Sequence, residues 1–447
     1  MFFIIIFLLI MFILFSVLRI HKYRKNKHYQ KLIISFQEEI SKIITTLVSL
    51  SIRDGKRLIE NNLTYRKNLI NLLTSTTGFP FTINNKTKVL STSRNTFTSF
   101  FQAIKEAREH IHLEFYIFRD DHIGKEMQKL LIEKALQGVK VRLIYDGYGS
   151  RGLKKSFLRK FQESGIQTAC FSPVTFPFLN RRIHYRNHRK ILIVDGRIGF
   201  VGGINIGDEY LGSSENFSDW RDTHIKIEGD AVKILQSIFL QDWYLITKEK
   251  LVDNSYFPKL EIPVGEELIQ IAASGPDSPW KPIMQMYFSM IATAQESIYL
   301  TTPYFIPNES ILTALKNAAL SGLDVRIIIP GKPDNRFVFW ASFSYLKDLL
   351  PAGVRVYQYQ KGFIHSKTLI VDSLISSVGT ANLDRRSFNL NYEVNAFLYS
   401  QKIAQRLIND FFLNLKESKE ISYTDYEKRP LTMKLLESFA RLFSPLL

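Results

Sequence analysis

A chain of 447 residues, 45% hydrophobic and 23% charged, is longer than one ordinary core needs and too apolar for wholesale disorder. Its formal net charge of +17 points to a polyanionic partner, either nucleic acid or an anionic membrane surface, and charge alone does not separate the two. The single cysteine, Cys170, excludes an internal disulfide and suits a reducing compartment, where a small buried apolar role is the ordinary expectation.

The first element is MFFIIIFLLIMFILFSVLRI, which has no charge before Arg19 and is long enough to cross a hydrocarbon core as a helix. Lys and Arg crowd its exit in HKYRKNKHYQK, and no small-residue cleavage site follows. An uncleaved transmembrane anchor over residues 1–20 is therefore expected, rather than a secretory signal. The positive-inside rule keeps the chain from about residue 21 onward in the cytosol, at the cell membrane.

Residues 28–77 carry apolar side chains at helical spacing without proline, which predicts one or two amphipathic helices lifting the body off the membrane. Lys31, Glu38, Glu39 and Lys42 are too many charges for a second span. The stretch TTGFPF breaks the pattern, so residues 21–78 are assigned to a linker and the globular part is placed from residue 79.

From there the text repeats itself. AREHIHLEFYIF (Ala107 to Phe118) aligns without a gap to AQESIYLTTPYF (Ala294 to Phe305), and ALQGVKVRLIYDG (Ala135 to Gly147) to ALSGLDVRIIIPG (Ala319 to Gly331). Each copy reads helix, strand, helix, strand. Alternating strands and helices predict a mixed α/β sheet with helices on its faces, built twice, over 79–250 and 251–447.

Each half ends its repeat on the same chemistry. In HRKILIVDGRIGFVGGIN, strand periodicity puts His188 and Lys190 on one face, ILIV anchors the strand, and Asp195 opens a turn. The paired glycines of the return strand let the backbone pass closely before Asn205. The second copy supplies His365, Lys367, Asp372 and Asn382, and the step from His to Asn is 17 positions in both (205 minus 188, 382 minus 365). Two His, two Lys and two Asn brought together suit a phosphoryl group: Lys and Asn stabilise its non-bridging oxygens. One imidazole can attack phosphorus while the other protonates the departing alkoxide.

The two HxKxxxxD segments resemble the phospholipase D superfamily, and the wider text resembles its bacterial cardiolipin synthase branch. LEFYIFRDD, GVKVRLIYDGYGS, GGINIGDEYLG, WRDTH, GPDSPW, TPYFIP, GTANLDRRSFNLNYE and RLFSPLL carry that resemblance, from about residue 50 to the C-terminus. It implies two α/β/α halves packed pseudo-symmetrically around one active site, and a covalent phosphohistidine on one of the two histidines with no metal. It also implies phosphatidyl transfer between two phosphatidylglycerol molecules. A phospholipase D-type hydrolase using water is the alternative, a nuclease a more distant one, and nucleic acid is not the expected partner. No cofactor is expected, and the sequence shows no carboxylate cluster or Cys/His spacing suited to a divalent ion.

In the superfamily an acidic residue downstream of each motif orients the histidine; Glu393 matches in the second half and Asp222 is the candidate in the first. The resemblance also leans toward His188 as nucleophile and His365 as acid and base. Asp195 and Asp372, though part of the catalytic motif, read more as structural turn or ion-pair residues than as acid-base groups. One departure is that members of this branch usually carry two N-terminal spans, where this chain shows one. FSPVTFPFLNRRIHYRN and NRFVFWASFSYL are aromatic stretches that could touch lipid, the second equally a core-facing helix. The apolar residues of LTMKLLESFARLFSPLL, at 431, 435, 439, 442 and 446, have the spacing of an ordinary packed helix, preferred over adsorption to a membrane.

Overall fold

The computed structural model describes residues 64–173, 185–212, 219–260 and 262–447, with several positions between 35 and 48. The expected anchor over 1–20 and most of the first aromatic stretch lie outside the described residues. Among the described residues no helix is long and apolar enough to cross a membrane.

Two sheets with the same strand order carry the two halves. The first runs Asn85–Leu90, His224–Gly229, Ile198–Gly202, Lys190–Val194, His110–Phe115, Lys140–Asp146, Gln167–Phe171. The second runs Ile269–Ser274, Glu393–Leu398, Ile375–Gly379, Thr368–Val371, Ser297–Thr301, Asp324–Pro330, Arg355–Tyr359, and adds Ser418–Glu420 at its edge. Each motif strand occupies the middle of its sheet, antiparallel to the strand of the first repeated segment. ILIV and its counterpart TLIV are buried throughout, as a strand covered on both faces requires.

The helix Ala231–Thr247 is apolar almost all round because it packs between the sheets. Ile234, Leu235, Ile238 and Phe239 share one core cluster with Ile191, Ile193, Val378, Val394 and Ala396. The halves therefore share a core rather than touching at a thin seam.

The expected stalk is not one where it is described. Phe36, Ile40, Ile44 and Val48 are buried in that shared core, with Phe36 against Tyr244 at 4.7 Å between ring centroids. Leu69, Ile70 and Leu73 of the helix Thr64–Thr77 join the core of the second half. The apolar spacing read as a free amphipathic helix is the inward face of a packed one, so the globular body begins before residue 79.

The C-terminal helix Leu431–Leu442 departs in the opposite sense. Leu431, Leu435, Phe439 and Leu442 are 72%, 61%, 55% and 75% exposed, whereas Glu437 and Ala440 are buried. The apolar stripe expected to pack faces outward.

Candidate active site

Both motif histidines line one cavity of about 890 Å³, together with Asn205 and Asn382. The pairing that holds them crosses between halves. Tyr392 donates its N–H to the Arg186 carbonyl (2.8 Å), and His188 donates its N–H to the Tyr392 carbonyl (2.9 Å). In the other half Phe363 donates to the Asp219 carbonyl (2.9 Å) and His365 to the Arg221 carbonyl (2.7 Å). These short contacts set the neighbouring carboxylates, Glu393 and Asp222, against the histidine of the opposite half.

His188 Nδ1 lies 2.9 Å from Glu393 Oε2 and 3.0 Å from Oε1; His365 Nδ1 lies 2.7 Å from Asp222 Oδ2. A carboxylate accepts, so each Nδ1 carries the proton and each Nε2 keeps its lone pair for chemistry. Tyr116 packs against the His188 ring at 5.1 Å and Trp220 against His365 at 5.2 Å, restricting ring rotation.

The two carboxylates are supported differently. Glu393 accepts the Thr380 hydroxyl at 2.5 Å and the Asn391 amide at 3.2 Å. At the equivalent position the first half has Gly203, where an added Cβ would stand 2.1 Å from Asp222 Oδ1. The glycine makes room for Asp222 and supplies no hydroxyl. Burial pushes Asp222 up to about 6, with Lys367 pulling the other way. Burial also raises Glu393, but the His188 and Lys190 charges and the hydrogen bonds together outweigh it and leave Glu393 below its ordinary value.

Burial pulls His188 down to about 4 against the opposing pull of Glu393. His365 is held well below its ordinary value by burial, then by the Lys367 and Lys190 charges. Both imidazoles are thus neutral at pH 7, and an arriving phosphodiester anion supplies the charge that favours protonating one of them. Lys190 and Lys367 donate to the carbonyls of their own histidines, at 2.7 and 2.5 Å, and are not among the residues lining the cavity. Burial lowers Lys190 to about 7 and Lys367 to about 8.

Asp195 and Asp372 do not reach the cavity, so their placement in the catalytic set is corrected. Asp195 accepts the N–H groups of Arg108, Glu109 and His110 at 2.8 to 2.9 Å. Asp372 accepts those of Gln295, Glu296 and Ser297 at 2.8 to 3.1 Å. Both residues have positive φ, 52° and 53°, a conformation that an Asp in a tight turn adopts more readily than most residues. They tie the end of the motif strand to the start of its neighbour.

Asn205 accepts from the Ile117 N–H (3.1 Å) and donates to the Tyr210 hydroxyl (2.8 Å), so its amide is fixed at the cavity wall. Asn382 is 4% exposed, and among the described residues its Oδ1 finds no partner. Sequence reasoning missed Tyr116, Arg186, Tyr304, Lys332, Asp384 and Arg386, which also line the cavity. Tyr116 and Tyr304 sit just past the ends of the repeated strands, where a position facing the motif strand was legible. No signal singled out Lys332.

Two duplicated α/β halves that close two His-x-Lys motifs on one cavity define the phospholipase D class. The family model described as "Cardiolipin synthase, PLD-like domain" matches residues 100–243 and 287–413, and the chain belongs to that family. It is 51% identical over 369 residues to a cardiolipin synthase of Geobacillus sp. (strain WCH70), covering 82% of this chain and 74% of that one. It is 46% identical over 383 residues to the major cardiolipin synthase ClsA of Bacillus subtilis (strain 168), covering 85% and 79%. Among solved structures, phosphatidylserine synthase of Haemophilus influenzae Rd KW20 superposes with a TM-score of 0.67 at 15% identity, over 85% of this chain and all of that one, a likeness of fold.

Proposed function

We infer that the chain is a phosphatidyltransferase that makes cardiolipin from two phosphatidylglycerol molecules. The observation that carries this is the pair of histidines on one cavity, each held at Nδ1 by a carboxylate so that Nε2 is available. His188 Nε2 attacks the phosphorus of the donor, and the bond from phosphorus to the headgroup glycerol oxygen breaks. His365, protonated at Nε2, gives its proton to that oxygen and glycerol leaves. The terminal hydroxyl of a second phosphatidylglycerol then loses its proton to His365, its oxygen attacks phosphorus, and the bond to His188 breaks.

The supports of the two carboxylates favour this assignment of roles. Glu393, kept ionised, stabilises the cationic ring that forms when His188 is phosphorylated. Lys190 and Lys367 add positive potential behind the histidines, and Asn205 and Asn382 face the phosphate oxygens. The apolar segment 1–20 anchors the chain at the cell membrane, with the catalytic halves on the cytosolic side, where phosphatidylglycerol is within reach.

The test is lipid mass analysis of the full chain supplied with phosphatidylglycerol in vesicles. Cardiolipin and glycerol should appear in equal amounts. Phosphatidic acid without cardiolipin would overturn the transferase reading in favour of hydrolysis.

A further inference from the structure

The C-terminal helix Leu431–Leu442 is amphipathic with its apolar face turned out. Its single acid, Glu437, is 3% exposed and paired inward with Arg429 at 2.9 Å, and Ala440 is fully buried. Leu431, Leu435, Phe439 and Leu442 recur at i, i+4, i+8 and i+11, one stripe along the helix. Leu436 and Phe443 widen it at 38% and 39% exposure. Scattered exposed leucines need no explanation, but a contiguous stripe of this kind marks a surface that something covers.

Two observations identify the cover. Beside the stripe Lys434 pairs with Glu427 at 3.3 Å and Arg441 turns back to Asp348 at 2.9 Å, so the helix flanks are close to charge-balanced, with Lys428 exposed just before the helix. An outward apolar stripe with charged side chains on its flanks suits a helix lying in a bilayer interface, and the chain's net charge of +17 makes an anionic bilayer the complementary one. The stripe also runs on to the cavity mouth. Phe439 and Phe443 meet Phe337 at 6.5 and 5.5 Å, and Val338 beside it lines the cavity, as does Leu447 beyond the helix. A cavity of about 890 Å³ is of the size that holds one drug-sized ligand, so the four acyl chains of two phospholipids stay outside it.

We propose that the helix Leu431–Leu442 lies in the headgroup–acyl boundary of an anionic bilayer and holds the cavity mouth at the depth of the lipid phosphates. The acyl chains of donor and acceptor then remain in the bilayer while their headgroups enter. This rests on the reading that the substrate is a membrane phospholipid.

Spin labels on the full chain test it. In a Cys170→Ala background, nitroxides are placed at Leu435→Cys or Phe439→Cys, with Leu136→Cys, at a position 76% exposed in the first half, as control. The chain is reconstituted into vesicles of phosphatidylglycerol and phosphatidylcholine. Labels at 435 and 439 should be relaxed by oxygen more than by a water-soluble nickel chelate, and the label at 136 the reverse. Equal access of the chelate to all three positions would overturn the proposal. So would labels at 439 shielded from both reagents, which puts protein over the stripe, or coupled to each other in detergent as in vesicles, which makes it a contact between two copies.

A second arm pairs Leu435→Glu with Phe439→Glu. Turnover of short-chain phosphatidylglycerol, dispersed as monomers, should persist, while turnover on vesicles falls on the order of tenfold or more. Equal losses on both substrates would count against the docking role. If the unsubstituted chain turned over neither substrate while its labels sat in the bilayer, the cardiolipin reading would fail and the docking would stand.

Discussion

His188 in the first half and Glu393 in the second stand 2.9 Å apart, 205 residues distant in sequence, and His365 and Asp222 make the reciprocal pair. Among the described residues each motif histidine takes its carboxylate from the opposite half. Glu393→Gln keeps the size and most hydrogen bonds but removes the charge that a phosphorylated His188 needs. It should lower kcat by on the order of 10² to 10⁴ with little change in melting temperature. Near-normal turnover would remove Glu393 from the mechanism.

The two histidines divide one task, so His188→Ala and His365→Ala should each lower turnover by on the order of 10³ or more, and the double variant should be no worse than either. His365→Asn should still accumulate a phosphorylated enzyme from a phosphatidyl ester with a low-pKa leaving group such as a nitrophenol, because such a group departs without a proton. Peptide mass analysis after acid quench should find the adduct on His188. An adduct on His365 in a His188→Asn variant, and never the reverse, exchanges the roles.

The pH profile follows from groups with opposite signs. Asp222, raised to about 6, loses its charge as pH falls through that value, and with it the acceptor for His365 Nδ1. Lys190 and Lys367, lowered to about 7 and about 8, lose their charge as pH rises through those values. The kcat/KM profile should be a bell with its acid limb near 6 and its alkaline limb between about 7 and 8. A profile still rising well above pH 9 would remove the lysines from the charge stabilisation.

The aspartates of the motifs should behave as structure. Asp195→Ala leaves three backbone N–H groups without their acceptor and should cost about 1–3 kcal/mol of stability. The folded fraction should keep most of its kcat, a result that separates Asp195 from His188. Loss of kcat at unchanged stability would return Asp195 to the catalytic set.

A strong chelator should leave activity largely unchanged. The charge stabilisation in this site comes from side chains, and among the described residues no cluster of His, Cys, Asp or Glu could hold a metal ion. Activity lost to the chelator and restored by a divalent ion alone would call for a different mechanism.

The fold and half of the site were legible because they are written twice. A repeated His, Lys and Asn at one spacing inside a repeated framework is a strong signal, and the two sheets share one strand order as duplication requires. The carboxylate partners were harder to place, since nothing local in NYEVN or RDTH says that each serves the other half. Direction was also illegible: the spacing of Leu431, Leu435 and Phe439 gives an apolar stripe but not the side it faces. The same periodicity at Phe36, Ile40 and Ile44 belongs to a buried face. The motif aspartates belong to the repeated text but not to the chemistry, in keeping with the turn role read for them: each accepts three backbone N–H groups where the motif strand ends.

The exchange of carboxylates between halves carries an evolutionary consequence. A chain with one half alone could assemble this site by pairing with a second copy, and both histidines would then be identical by symmetry. Fusing the copies into one gene frees each side to change alone. Gly203 beside Asp222 and Thr380 beside Glu393 are such a change, at the position where the two copies correspond. Specialisation of one histidine for attack and the other for proton traffic is something that only the fused chain can inherit.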